Sequence, residues 1–361
     1  MKKFLLLINL LVCFVAISQT TLNRGDVMVL GVIVDDCSPT IKNSIYLVSF
    51  KPITNGTTID LTDNGWERQN PNRFGSSEGF FRFQKNTNSG TIPAGQVFRL
   101  NMNQNGNPTN LQNPDWDYIN ASSVGSFDLR ADGDQFFVMQ GGNWTNTSGN
   151  NATYSGRILT AYNTKSTWIA TNSTTNSAHN RNSNIHPDTR CYHITSPIDY
   201  NNFRYYSGNT STSISQGEWL VRILNTADVS NNGNWSNASN CSDFDAKIFT
   251  GALPIRTNIP SQEVCVNELL TDLEVVDEPN VVTYQWYRNT IANTTGGTPV
   301  GTNSNIHTPS NTLIGTYYYY CVMTINLPLN GTPNTTDCQF ISNLYEVTVN
   351  PNPVTSPVIP L

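Results

Sequence analysis

Charge is scarce in this chain. Asp, Glu, Lys and Arg make up only 13% of its 361 residues, 20 basic against 26 acidic, for a formal net charge of −6. Phosphate contacts need a basic footprint that this balance does not supply, so nucleic acid is not an expected partner. Histidine is rarer still, with four residues at 179, 186, 193 and 307. No H-E-x-x-H pair and no C-x-x-C with a matching second pair occurs, and no serine is expected in a nucleophile elbow. The usual signatures of zinc proteases and zinc ribbons are therefore missing, and the chain is not expected to be an enzyme.

Long hydrophobic runs are confined to the start. Lys2-Lys3, the apolar stretch Phe4 to Ile17, and Ala16-Ile17-Ser18 follow the charged, apolar, small-residue order of a secretory signal peptide, assigned to residues 1–18. The stretch is shorter than the ~18 apolar residues of a spanning helix, and Val12 before Cys13 does not suit lipid attachment. No later segment reads as a membrane span. Loss of Cys13 with the signal leaves Cys37, Cys191, Cys241, Cys265, Cys321 and Cys338 as disulfide candidates, since cysteines delivered to an oxidising compartment tend to pair.

Helical periodicity longer than two turns is also lacking, although 158–170 is ambiguous. What is present instead is a series of short β-branched or aromatic runs bounded by Gly, Pro, Asn and Asp. They are Val27–Val34, Ser44–Phe50, Thr57–Leu61, Gly79–Phe83, Gln96–Leu100, Gln135–Gln140, Trp219–Leu224 and Leu344–Val349. Such runs predict an all-β fold of two β-sandwich, Ig-like domains. The first is placed at 22–250, with long Asn/Thr/Ser-rich loops at 101–113, 143–154 and 171–184. A linker follows at 251–260, where Pro254 and Pro260 bracket a polar stretch, then a second domain at 261–350 and a Pro-rich tail at 351–361. In the second domain the order Cys265, Tyr284-Gln285-Trp286-Tyr287, Tyr319-Tyr320-Cys321 is that of an immunoglobulin-type sandwich, with Trp286 expected in its core.

Two resemblances rest on particular residues. Gly25-Asp26-Val27-Met28, Ile59-Asp60-Leu61-Thr62-Asp63-Asn64-Gly65-Trp66, Glu78-Gly79-Phe80, Asp132-Gly133-Asp134-Gln135-Phe136-Phe137 and Trp219 together resemble an N-terminal domain of secreted bacterial surface proteins. Within it, residues 59–66, Ile92-Pro93-Ala94-Gly95-Gln96-Val97 and 127–138 are similar to the lamin-tail type of Ig-like sandwich. That likeness implies a β fold and no single activity. Residues 258–350 resemble the Ig-like repeats of adhesins exported by gliding bacteria of the Bacteroidetes type, through Val264-Cys265-Val266-Asn267, Tyr284 to Tyr287, Gly296-Gly297, Gly315 to Tyr319, Cys338 and Ser342-Asn343. The resemblance sets a Cys265–Cys338 bridge against the Ig-type Cys265–Cys321 bridge.

Candidate sites are few. Trp116, Trp144 and Trp235 lie in Asn-rich surroundings, where an aromatic ring stacks on a sugar while amides bind its hydroxyls. The plainer reading is that each ring anchors its own loop. Asp128, Asp132 and Asp134 offer the hard oxygens that calcium prefers, although Asp132-Gly133 and Asp63-Asn64-Gly65 are also ordinary turn sequences. His186-Pro187-Asp188 and Cys191-Tyr192-His193 contain metal-ligand types but read more simply as loop residues, and Glu67, Glu78 and Glu218 are the carboxylates weighed for glycoside hydrolysis. The expected function is a secreted or cell-surface, adhesin-like or structural protein that binds glycan or another surface protein. The alternative is the binding appendage of an extracellular hydrolase acting on polysaccharide or nucleic acid.

Overall fold

The computed structural model describes residues 19–34, 40–67, 73–119, 125–130, 133–145, 152–165, 167–168, 183–196, 202–328 and 335–354. The expected signal peptide, Cys37, Asp132 and His179, most of the 171–184 loop and the end of the Pro-rich tail lie outside them. The architecture is all-β. An antiparallel sheet runs in the order Trp235–Asn237, Phe203–Tyr206, Val27–Ile33, Asn43–Ser49, Val97–Met102. A second sheet runs His193–Thr195, Arg157–Asn163, Gln135–Gln140, Thr58–Thr62, Phe80–Lys85, Trp116–Ile119, antiparallel except for its first pair. Among the described residues, no helix is long and apolar enough to cross a membrane.

Both faces of the second sheet are covered. Side chains alternate along a strand, so Phe136 and Val138 join Ile59, Leu61, Phe81 and Phe83 between the sheets. Phe137 and Met139 point the other way, into a smaller cluster with Trp66, Phe74, Phe80 and Trp144. The hairpins Trp66–Glu67/Arg73–Phe74 and Trp144–Thr145/Thr153–Tyr154 roof that cluster. Burial on both faces is why Gln135–Gln140 reads as a continuous apolar run and not as an alternating one. On the first sheet, strand Val27–Ile33 is buried at every position. Helix Cys241–Lys247 covers it, and Gly31 leaves the room: a Cβ there would stand 2.7 Å from Ile248 Cδ1.

The predicted strand at Trp219–Leu224 is instead part of the helix Gln216–Ile223. Ser215 and Glu218 form a capping box that satisfies the first turn, and Trp219, Leu220, Val221 and Ile223 are buried around most of the helix circumference. The apolar run concealed that signal. The expected linker is not free either: Leu253 N–H donates to Gly95 O, and Arg256 N–H to Ile214 O, both on the first sandwich.

Beyond it, Ser261–Cys265 pairs in parallel with Tyr345–Asn350, followed by Gly315–Pro328, Val281–Asn289 and Thr298–Val300, with Thr335–Ile341 also on Gly315–Pro328. Trp286 is fully buried as expected. Its Nε1–H donates to Ser304 O at 2.9 Å and its ring packs against His307 and Tyr345.

The bridge lies elsewhere than either expected pair. Cys191 is bonded to Cys338 with Cα atoms 5.4 Å apart, while Cys265 and Cys321 are free thiols. Cys321 faces the core opposite Trp286, and Cys265 sits half-buried on an outer strand opposite Asn350, so neither meets the other. Cys241 is also disulfide-bonded. The bridge thus joins the N-terminal sandwich to the C-terminal sheets across a seam that is itself hydrogen-bonded. Val276 N–H donates to Glu218 Oε1, Arg222 Nε–H to Glu278 Oε1 at 3.0 Å, and Asn280 Nδ2–H to Val221 O. Gly217 is the tightest point, since a Cβ there would lie 2.1 Å from the Ile341 carbonyl oxygen. Gly217→Ala is expected to destabilise by about 1–3 kcal/mol through overpacking against a backbone that cannot yield locally. Chemical denaturation checks it, and an unchanged midpoint would mean that the seam opens without cost.

Candidate functional site

The three tryptophans considered for sugar stacking are in strands and buried. Trp116 begins Trp116–Ile119 and packs on Phe98 at 5.3 Å. Trp144 stacks on Phe80 at 4.7 Å, and Trp235 donates its indole N–H to Ile223 O at 2.8 Å. The Trp116 and Trp235 rings pack in the main core and the Trp144 ring in the smaller outer cluster, all three buried. Asn-rich flanks suggested loops, but a single large ring can fasten a short polar strand onto a core, and local composition does not reveal that.

The one stretch with G-x-S-x-G spacing, Gly75-Ser76-Ser77-Glu78-Gly79, connects Arg73–Phe74 to Phe80–Lys85. A nucleophile elbow needs a strand–turn–helix, and this segment leads into a strand. Glu218 is occupied by its own cap and by Val276.

The three histidines among the described residues serve structure. His307 stacks on Trp286, and His193 is buried with Nδ1 3.0 Å from Thr189 O. His186 caps the 3-10 turn Pro187–Thr189, where its Nδ1 accepts from Asp188 N–H at 3.1 Å. The ring lies against Trp66 and Phe74. Burial lowers its pKa to about 4, against the partly offsetting charge of Asp188. Between about pH 6.5 and 4 the unfolded chain therefore takes up a proton that the folded chain refuses, and stability falls as pH drops through that window. The expected loss is on the order of 3 kcal/mol. His186→Asn keeps a capping acceptor and should flatten this part of the pH profile. Urea midpoints of both proteins across the window check it, and parallel profiles would contradict the assignment.

The carboxylates divide into two kinds. Asp60 is closed: Arg82 donates to it twice at 2.7 Å and the Tyr154 hydroxyl once at 2.7 Å. Burial pushes its carboxyl up, and these donors partly restore it. Three residues further along the chain, the Asp63 turn gathers a different set. Asp63 accepts from Gly79 N–H at 3.0 Å and from Asp128 N–H at 2.7 Å, and its carbonyl accepts from Gln135 Nε2–H at 2.8 Å. Asn64 Oδ1 accepts from Glu78 N–H at 3.0 Å. Asp134 Oδ1 accepts from the backbone N–H of Gln135 at 2.8 Å and from its side chain at 3.2 Å.

One turn thus organises three chain segments, those carrying Glu78, Asp128 and Asp134-Gln135. Asp63 and Asp134 are wholly buried. Desolvation holds the Asp63, Glu78 and Asp134 carboxyls well above the usual range. Repulsion from Asp63 and Asp134 adds to it at Glu78, and repulsion from Asp63 adds to it at Asp134. Asp128 is placed differently, paired to Lys42 at 2.6 Å.

Of the carboxylates considered for calcium, Asp134 is therefore in this cluster, Asp128 touches it through its backbone, and Asp132 lies outside the described residues. Asp63 and Glu78 belong with them although the sequence separates them by more than a strand. The Asp63-Asn64-Gly65 turn and Glu78-Gly79 were visible as motif residues, but not that they meet. Among the described residues, no three His, Cys, Asp or Glu side chains are gathered in metal-ligand geometry. No protein-family model matches the chain, and no curated protein matches it.

Proposed function

We propose that this chain is a non-catalytic secreted or cell-surface protein of adhesin-like or structural type. In this reading, an N-terminal lamin-tail-like sandwich is carried on an Ig-like part of the kind repeated in Bacteroidetes-type adhesins. The observation that carries the reading is the Cys191–Cys338 bridge across the seam. Disulfides form and persist in oxidising compartments, which supports export. A bond between the two parts, backed by the Arg222–Glu278 pair, supports a stiff body that holds its loops in a set direction and not a hinged one. A mechanical or presenting role benefits from such stiffness. The buried tryptophans favour another protein, or a glycan held by the polar loops through amide hydrogen bonds, over ring stacking.

The test uses the secreted full chain on a glycan array and against surface-protein extracts, alongside assays for polysaccharide and nucleic-acid hydrolysis. Saturable binding without turnover, weakened when Cys191 and Cys338 are both changed to Ser, is expected. Turnover of either polymer would overturn the reading and favour the hydrolase.

A further inference from the structure

We propose that Glu78, Asp134 and Gln135 hold a calcium ion beside the Asp63 turn, a site separate from whatever surface the protein uses for adhesion. Three buried side-chain oxygens carry the inference: Glu78 Oε2, Asp134 Oδ2 and Gln135 Oε1 have no hydrogen-bond partner. Asp134 and Gln135 are both fully enclosed. Each of the three belongs to a residue already anchored at this turn, Glu78 by Asn64, Gln135 by the Asp63 carbonyl, and Asp134 by Gln135.

A buried acceptor without a donor is costly, and clustering several makes each worse. A cation reverses that sign for all of them together. Protein groups offset this only in part: Lys42 is committed to Asp128, and the exposed Arg130 lowers the Glu78 carboxyl by its charge and the Asp134 carboxyl by its backbone N–H without reversing the effect of burial at either. Two carboxylates balance a divalent charge, and an amide oxygen is a common third ligand for calcium, with water completing a shell of six to eight oxygens. The shell offers no nitrogen or sulfur, which disfavours zinc and copper. Asp63 acts as the frame, since its own oxygens are taken by Gly79 and Asp128. An ion here would tie the loop before Phe80–Lys85 to the start of Gln135–Gln140, two strands on either side of Thr58–Thr62.

The experiment is calorimetric titration of the full chain with calcium chloride after EGTA treatment, with thermal melts in EGTA, calcium and magnesium. Expected are one binding event per chain and a calcium-dependent rise in Tm of about 5–10 °C at saturating ion. Glu78→Gln and Asp134→Asn should each abolish the rise. In EGTA both variants should melt no lower than the wild type, because each removes buried repulsion, whereas a purely structural carboxylate would lower it. Absence of binding heat with superimposable melts of the wild type in EGTA and calcium would overturn the proposal, whether or not the variants fold. So would an undiminished calcium response in both variants, and an equal response to magnesium would overturn the assignment to calcium.

Discussion

Trp286→Ala is expected to cost about 3–5 kcal/mol, the usual penalty for truncating a fully buried tryptophan. The indole lies at the centre of the C-terminal sheet, in register with Cys321 and Val300 on the neighbouring strands. Its removal withdraws the packing partner of both His307 and Tyr345 and leaves the Ser304 carbonyl without its donor. Tyr345 also lines the seam, where its hydroxyl accepts from Arg256. Damage at Trp286 is therefore expected to spread to the N-terminal sandwich by exposing Glu218 and Arg222, which the C-terminal part covers. Guanidinium unfolding followed by near-ultraviolet circular dichroism reads both effects. Trp286→Phe, which retains a ring but no N–H, should fall between wild type and alanine. A midpoint for the alanine variant indistinguishable from wild type would refute the placement of this ring in the core.

The second large effect concerns the seam. Cys191→Ser with Cys338→Ser opens a loop whose ends are 147 residues apart, and losing a bridge of that span is expected to cost about 2–5 kcal/mol. The cost arises chiefly because the unfolded chain regains freedom that the bridge denied it. The folded seam keeps its hydrogen bonds, so the variant should fold but separate more readily into two transitions on heating. The double serine variant is a cleaner test than a reductant, since Cys241 is also in a disulfide. Cys265→Ser should be close to neutral, because that thiol is free and half-buried. A large loss from Cys265→Ser, with none from the double variant, would restore the Ig-type pairing and overturn the observed one.

Much of the secondary structure was legible in the sequence because strand formation is signalled locally. Val27–Ile33, Gln135–Gln140 and Tyr345–Asn350 all announce themselves by β-branched or aromatic runs between turn residues. Trp286 was legible for a related reason: a tryptophan in mid-strand, followed by a strand with Tyr and Cys at alternate positions, has few places to go but inward. The helix Gln216–Ile223 was obscured because its capping signal, Ser215 with Glu218, spans only four residues, while the apolar run after it satisfies a strand template equally well.

By itself, then, the sequence determined the all-β class, the approximate strands, the core position of Trp286 and the scarcity of charged and histidine side chains. Tertiary structure alone decided that Cys338 meets Cys191, that Trp116, Trp144 and Trp235 are enclosed, and that the segments carrying Glu78 and Asp134 are brought to the Asp63 turn. The physical reason is the range of the interactions. Backbone conformation follows from neighbours a few residues apart, whereas a disulfide or a carboxylate cluster depends on which way side chains face after strands more than 50 residues apart have paired, as Leu61 does with Val138.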